Sequence, residues 1–300
     1  MPSRRLLLAQ LLLLGLSLIG CNHAQSTPPR KLTVGVVSYE AGARSVEQYE
    51  GFKEYLEEKT NTVIEFDPAF NEVRAVEQVR RRAWSIVFAP PGIAAVAIAT
   101  EQYIPIFRME GLHNLRSVLV IREDSPILSL EDLANKVVAL GKPGSAAGYY
   151  MPLYDLYGLS LAEVRLAPTP KTVLEWLSQG SVAAGALSEH DFQRYRYEFG
   201  RTKFRILHIS RFVPPGVVLL GPTVERNQVE QIKAAMSEAP SSIASDAGYI
   251  PNAKLPNYEE LIQIVEKVRP LETRVGEKPA LLTLDKNRIK PTSENKSWLW

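Results

Sequence analysis

Cysteine is almost missing: Cys21 is the only one in 300 residues. That excludes an internal disulfide framework and any multi-cysteine zinc site. Histidine is scarce as well. His23, His113, His190 and His208 stand far apart, so no spaced ligand cluster arises, and neither a metal nor another cofactor is expected. An excess of one charge is also lacking. The chain has 35 basic and 33 acidic residues, and setting aside Arg4 and Arg5 as part of a removable leader makes the two equal. No nucleic-acid partner and no membrane-surface binding driven by bulk charge is therefore expected. No apolar run reaches the roughly 20 residues that span a bilayer, and no repeat of solenoid period occurs. What is present is globular in proportion, 45% apolar and 23% charged. The length suits two domains of about 100–200 residues each.

Arg4 and Arg5 precede an apolar run over 6–19 that is broken only by Gln10, Gly15 and Ser17. A basic start, a short apolar middle and small residues at its end describe a secretory signal over 1–20. The run closes on Leu18-Ile19-Gly20-Cys21 and there resembles a bacterial lipoprotein signal. The resemblance implies that the Cys21 thiol is acylated and becomes the new N-terminus. Residues 21–30, with Pro28 and Pro29, have the composition of a tether. The protein is accordingly expected on the extracytoplasmic face of the cytoplasmic membrane, held by lipid.

From Lys31 onward, strand and helix patterns alternate. Residues 31–37 and 62–66 read as strands, with Val46, Tyr49, Phe52 and Leu56 at helical spacing between them. Asn71 caps an expected helix over 71–82, and 85–88 reads as a strand stopped by Pro90, Pro91 and Gly92. A small alanine-rich helix is expected over 93–99. A second round begins with a strand at 116–122, a helix opened by Ser129 and Asp132, and a strand at 136–140. The segment 141–148 then leads to a helix near Tyr149. Leu174, Trp176 and Leu177 lie on a helix, 182–187 and 205–209 are strands, and 217–220 follows the Pro214-Pro215-Gly216 break. Helices over 224–239 and 258–268 complete the pattern. It is that of α/β sheets, mostly parallel and flanked by helices on both faces. The polar, proline-punctuated tail 272–300 is expected to be loosely ordered.

The stretch 117–152 reads SVLVIREDSPILSLEDLANKVVALGKPGSAAGYYMP. In Asp124-Ser125-Pro126, the Ser129–Leu133 segment, the strand to Leu140 and the glycine loop 144–148, it resembles the phosphonate, phosphite and phosphate type substrate-binding proteins of bacterial ABC importers. The resemblance extends weakly over 31–271. It implies a two-lobe type II periplasmic-binding fold on a two-strand hinge, with ligand held in the cleft. The first lobe is then 31–115 with a return over 213–271, and the second is 116–212.

An oxyanion can be held without a cation where backbone N–H groups converge at a helix N-terminus, which adds about half a positive charge. Gly144, Ser145, Ala146, Ala147 and Gly148 suit that chemistry, with Ser145 adding a hydroxyl donor. The same composition also serves a plain strand-to-helix join. The family's loop is usually Ser-Thr-Ser-Gly, so Ala146 and Ala147 stand where hydroxyls would be, each lost bond to a charged group being worth about 1.5–3 kcal/mol. Acids that the family pattern carries fall here at Ala183 and Ser85, and Pro170 and Lys171 occupy the region of its histidine. Glu189 lies near a position where the family places a ligand-contacting acid, with exposed solvation as the other reading; His190 reads as surface. Tyr39 and Tyr149, with Tyr150, offer cleft walls or interface packing, and Pro91, with Pro90 and Gly92, offers rigid backbone to the cleft from the first lobe. Trp84 and Trp176 read as core, and Arg80, Arg81 and Arg82 as a solvated helix end.

The expected partners are a small anion such as phosphate, phosphite or a phosphonate, an ABC permease, and the membrane through the lipid anchor, with the chain acting as a monomer. No paired nucleophile and base appears, so an enzyme is not expected. The alternative is a solute-sensing or interaction protein that kept the fold with an altered ligand site.

Overall fold

A computed structural model describes residues 30–37, 45–111 and 115–283. Cys21, Tyr39, His113 and the end of the tail lie outside the described residues. The first round is β1 (Arg30–Val37), α1 (Glu50–Thr60), β2 (Thr62–Ala69), α2 (Glu72–Arg80), β3 (Ile86–Ala89), α3 (Pro91–Glu101) and β4 (Ile104–Met109). The second is β5 (Leu115–Arg122), β6 (Val137–Leu140), α4 (Met151–Asp155), β7 (Ser160–Leu161), β8 (Glu163–Leu166), α5 (Pro170–Ser178), β9 (Ala184–Ser188), α6 (Glu189–Tyr195) and β10 (Phe204–Val213). The chain then returns through β11 (Val217–Leu220), α7 (Arg226–Ser237), α8 (Ser241–Ala247), β12 (Tyr249–Ile250), α9 (Glu259–Val268) and β13 (Ala280–Leu281).

Two large sheets result, ordered β12-β4-β11-β3-β1-β2 and β10-β5-β9-β6-β8, beside a small third sheet of β7 and β13. The first draws strands from 30–109 and 217–250, the second from 115–213. The chain crosses between them twice, from β4 to β5 and from β10 to β11. This is the two-lobe α/β fold. Both sheets are mixed: β1 with β3, and β6 with β8 and β9, run parallel, whereas β5, β10 and β11 pair antiparallel. The antiparallel strands are the ones that border the crossings. A chain that leaves a sheet and re-enters it from the far side must run against its neighbours.

The period-2 geometry of strands divides the apolar residues into layers. Ile86 and Phe88 face an outer core with Phe52, Leu56 and Tyr249, while Val87 and Ala89 face inward. Val218 and Leu220 likewise face outward and Val217 and Leu219 inward. In the second sheet, Val118 and Val120 face an outer core under α5 and α6, and Leu119 and Ile121 face inward. The two inward faces join one apolar cluster that also takes in α3, the 146–151 turn and α9. Trp84 is fully buried in it, and Gly35 is glycine because a Cβ there would come within 2.1 Å of the Trp84 ring.

Several expectations change in detail. Pro90 and Pro91 do not merely stop β3, because Pro91 opens α3 at a position where a missing N–H costs nothing. Ser129 and Asp132 open no full helix. The Asp132 carboxylate accepts the Leu128 and Ser129 amides at 2.8 and 3.0 Å, and only a three-residue turn over Glu131–Leu133 follows. β4 was not anticipated from its sequence. Its Pro105 weakens a strand reading, and in the sheet the β11 ladder shifts register between Val218 and Leu219, beside Pro105. The described start of the tail is ordered: Ala280 pairs with Leu161, and Ala280 and Leu282 are fully buried.

Candidate functional site

β6 and β9 are parallel neighbours, so the segments leaving their carboxyl ends share one sheet edge. β6 leads to the loop 141–148 and β9 to Glu189. The loop closes on itself with Gly141 N–H donating to Gly148 O at 2.7 Å and Ser145 N–H to Lys142 O at 3.1 Å. Gly144 takes φ 107°, where a side chain is disfavoured. Both Tyr149 and Tyr150 amides donate to Ser145 O at 3.1 Å, so the first turn, Ala146–Tyr150, is wider than an α-turn.

This bonding leaves an unequal set of donors. The Ser145 hydroxyl oxygen accepts from Gly148 N–H at 3.0 Å, and the Tyr150 hydroxyl oxygen accepts from Gly144 N–H at 3.2 Å. Gly144 and Gly148 therefore spend their amides on the loop, and Ser145 acts first as its cap. Among the described residues, the Ala146 and Ala147 N–H groups have no partner, although both residues are nearly buried.

The first lobe covers them. A Cβ on Gly92 would fall 2.1 Å from Gly144 O and 2.6 Å from Ala146 N. Backbone thus lies directly on backbone where α3 begins. Among the described residues, no side chain caps α3, and its Gly92 and Ile93 N–H groups lack partners. Two helix starts, one from each lobe, meet at this point with their first amides free, and both carry the positive end of the peptide dipoles. A Cβ on Gly144 would in turn meet Glu72 at the start of α2, 2.7 Å from its Cβ. Burial pushes the Glu72 carboxyl above its ordinary 4.5, partly offset by its own backbone amide and by Lys142.

Pro91 is the half-buried first residue of α3, beside the contact. Tyr149 and Tyr150 are fully buried and stack edge to face at 5.2 Å. Both phenols are pushed up by desolvation, with Glu272 and Arg80 nearby. They pack the joint between lobes, and the Tyr150 hydroxyl supports the loop instead of facing a guest. Arg80 is not merely solvated, since it pairs with Glu272 at 3.2 Å. Glu189 opens α6 half-exposed behind the Ser188 cap, on the same sheet edge as the loop, and His190 is exposed. Trp176 is partly buried in the outer core of the second sheet, under the Arg165 guanidinium at 5.6 Å. The sequence reading takes Pro90-Pro91-Gly92 as cleft backbone but singles out neither Ile93 nor Glu72. The available signal was a proline-proline-glycine start to an alanine-rich helix, which permits close backbone approach. Among the described residues, no group of three or more His, Cys, Asp or Glu is placed to hold a metal, and no helix is long and apolar enough to cross a membrane.

Two lobes on two crossings, with paired helix starts between them, define a solute-binding fold. Residues 34–258 match the family model of the phosphonate periplasmic substrate-binding protein of ABC transporters. The chain belongs to that family, whose members work outside the cytoplasmic membrane, bind a small molecule and partner with a permease. A search of curated proteins gave no match. Among solved structures, XAC2383 from Xanthomonas citri bound to ATP is similar at TM-score 0.64 and 20% identity, covering 80% of this chain and 98% of that one. PhnD1 from Prochlorococcus marinus in complex with methylphosphonate is similar at 0.58 and 16%, covering 80% and 99%. A binding protein component of a phosphonate transporter from Pseudomonas aeruginosa is similar at 0.55 and 15%, covering 82% and 88%.

Gly92→Ala is expected to force the lobes apart, because its Cβ meets backbone atoms that cannot rotate away. A loss of about 1–3 kcal/mol and a larger radius of gyration by solution scattering should accompany unchanged far-UV circular dichroism. An unaltered radius and melting temperature would refute the contact. Glu72→Gln should raise the melting temperature at pH 7. The folded protein holds the Glu72 proton more tightly than the unfolded chain, so ionised Glu72 costs stability above its raised pKa. The gain should therefore shrink as pH falls to the ordinary value of 4.5 and vanish below it. A pH-independent gain would show that desolvation of the carboxylate is not its source.

Proposed function

We propose that this chain is the lipid-anchored, solute-binding component of an ABC importer for a small oxyanion of the phosphate, phosphite or phosphonate class. The guest is held where α3 and the 146–150 turn meet. The observation that carries this reading is the convergence of four N–H groups without a partner among the described residues, from Gly92, Ile93, Ala146 and Ala147. Uncapped amides at two helix starts favour a negative ligand over a neutral one. Since Gly92 touches the loop, the lobes must part to admit the guest and then close on it. Ser145 keeps a hydroxyl proton to donate, because its oxygen is the atom that accepts from Gly148.

Glu189 supports a narrower choice within the anions. A carboxylate on the same edge as an amide cluster repels a fully ionised guest but accepts a hydrogen bond from one that keeps a proton. Phosphate, phosphite and phosphonates can do so near neutrality. The similarity to PhnD1, solved with methylphosphonate, is consistent with that chemistry. Tyr39, Pro91 and Tyr149 complete the proposed surroundings, with Tyr149 acting through packing. The anchor rests on Leu18-Ile19-Gly20-Cys21, and the proposed mature chain acts as a monomer.

A second reading has one observation in its favour. The inward faces of both sheets share one apolar cluster, and the lobes touch backbone to backbone at the loop. A protein that stays closed would suit solute sensing or protein interaction with an altered site.

Calorimetry of the mature chain with phosphate, phosphite and methylphosphonate separates the two. Binding of at least one, weakened by Glu189→Ala and by Gly92→Ala, is the expected outcome; no heat and no thermal shift with any of the three would sink the oxyanion reading. The anchor predicts that Cys21→Ser moves the protein from the membrane to the soluble fraction. A variant that stays membrane-bound would remove lipid attachment at Cys21.

A further inference from the structure

A cavity of about 450 Å³ opens beside the crossing from β10 to β11. Phe212, Pro214, Pro215 and Leu261 line it, with Arg108 and Lys254 bringing cations. Its size falls within the range of small-molecule sites, about 300–1,000 Å³.

Arg108 is the unusual member. In β4 it is flanked on both sides, paired in register with Val217 of β11 and with Ile250 of β12. Phe107 and Met109 turn to the outer core, so strand alternation sends Arg108 to the opposite face, toward the crossing. There its Nε is buried and, among the described residues, has no hydrogen-bond partner. A buried guanidinium donor left unpaired is costly; Arg108 also lines the cavity, where an anion would offset the charge that no described carboxylate meets.

The surroundings favour an anion with an apolar body. Arg116 lies over the Phe212 ring at 3.7 Å, so one face of that ring is already cationic in character. The only carboxylate on the lining is Glu260, which is bound to Arg211 at 2.9 Å. Neither Arg108 nor Lys254 has an ion-pair partner among the described residues. The prolines, Phe212 and Leu261 offer flat, apolar contact and little that a bare inorganic ion could use. We infer that this cavity is a second ligand site, for a small carboxylate with an aromatic or branched apolar body, whose carboxylate meets Arg108 and Lys254.

The probes are 2-naphthoate and its neutral twin 2-naphthamide, titrated by calorimetry into the full mature chain. Naphthoate should bind one to one, with naphthamide and the Arg108→Gln variant each weaker by about tenfold or more. Lys254→Gln, at an exposed position, should fold normally and weaken naphthoate by a few fold, which keeps the test sound if Arg108→Gln does not fold. Absence of naphthoate binding, equal binding of acid and amide, or wild-type affinity in both variants would overturn the site. The titration is repeated with saturating inorganic phosphate. Undiminished naphthoate affinity is expected, and displacement by phosphate would overturn a separate site. Failure of phosphate to bind at the loop leaves the naphthoate result intact, so the two readings stand or fall separately.

Discussion

The lobes of this protein meet where Gly92 at the start of α3 lies on Gly144 and Ala146, with no side chain between. The contact is possible only because residue 92 has no Cβ and Gly144 can take a positive φ. It brings together two helix starts, one from each sheet, whose first amides have no partner among the described residues. Each lobe alone would present such amides to water. Facing one another across the gap, they form a concentrated region of positive peptide dipole, which a negative guest would complete.

The rest of the structure holds that contact in place. Alternation along β3, β11 and β5 sends every second apolar residue to the shared inner cluster, which seats α3 and the 146–151 turn. Tyr149 and Tyr150 fill the joint behind the loop, and the Tyr150 hydroxyl fixes Gly144. The Arg80 to Glu272 pair brings α2 and the segment after α9 toward the same tyrosines. The edge is also electrically mixed, because Glu72 is half-buried there against its preference for water. Positive amides and nearby carboxylates together are the basis of the proposed guest, an anion that is still a proton donor.

How far the sequence carried depends on the range of each interaction. Asn71 was legible as a cap because it acts three residues away, and its side chain does accept from Arg74 N–H. Asp132 was legible as a capping acid and does accept the Ser129 amide three residues upstream, as a capping box requires, but only a three-residue turn follows it. β4 was hidden by Pro105, whose missing N–H the sheet accommodates with a register shift that only pairing with β11 reveals. The loop 144–148 was legible as an amide cluster from its glycines and alanines. Which amides stay free was not, because Gly144 is claimed by a hydroxyl six residues on and Gly148 by Ser145.

From composition and periodicity alone follow the alternating α/β elements, the lack of a cysteine or histidine metal centre, and the small-residue loop after β6. These are local properties, set by side-chain size, backbone freedom and spacing over a few residues. The tertiary structure decided that Gly92 is the loop's counterpart, that Glu72 shares its burial, and that Arg108 is left with a buried, unpaired nitrogen beside the crossing strands. Those outcomes depend on residues tens of positions apart being brought within a few ångströms, and no local pattern encodes that approach.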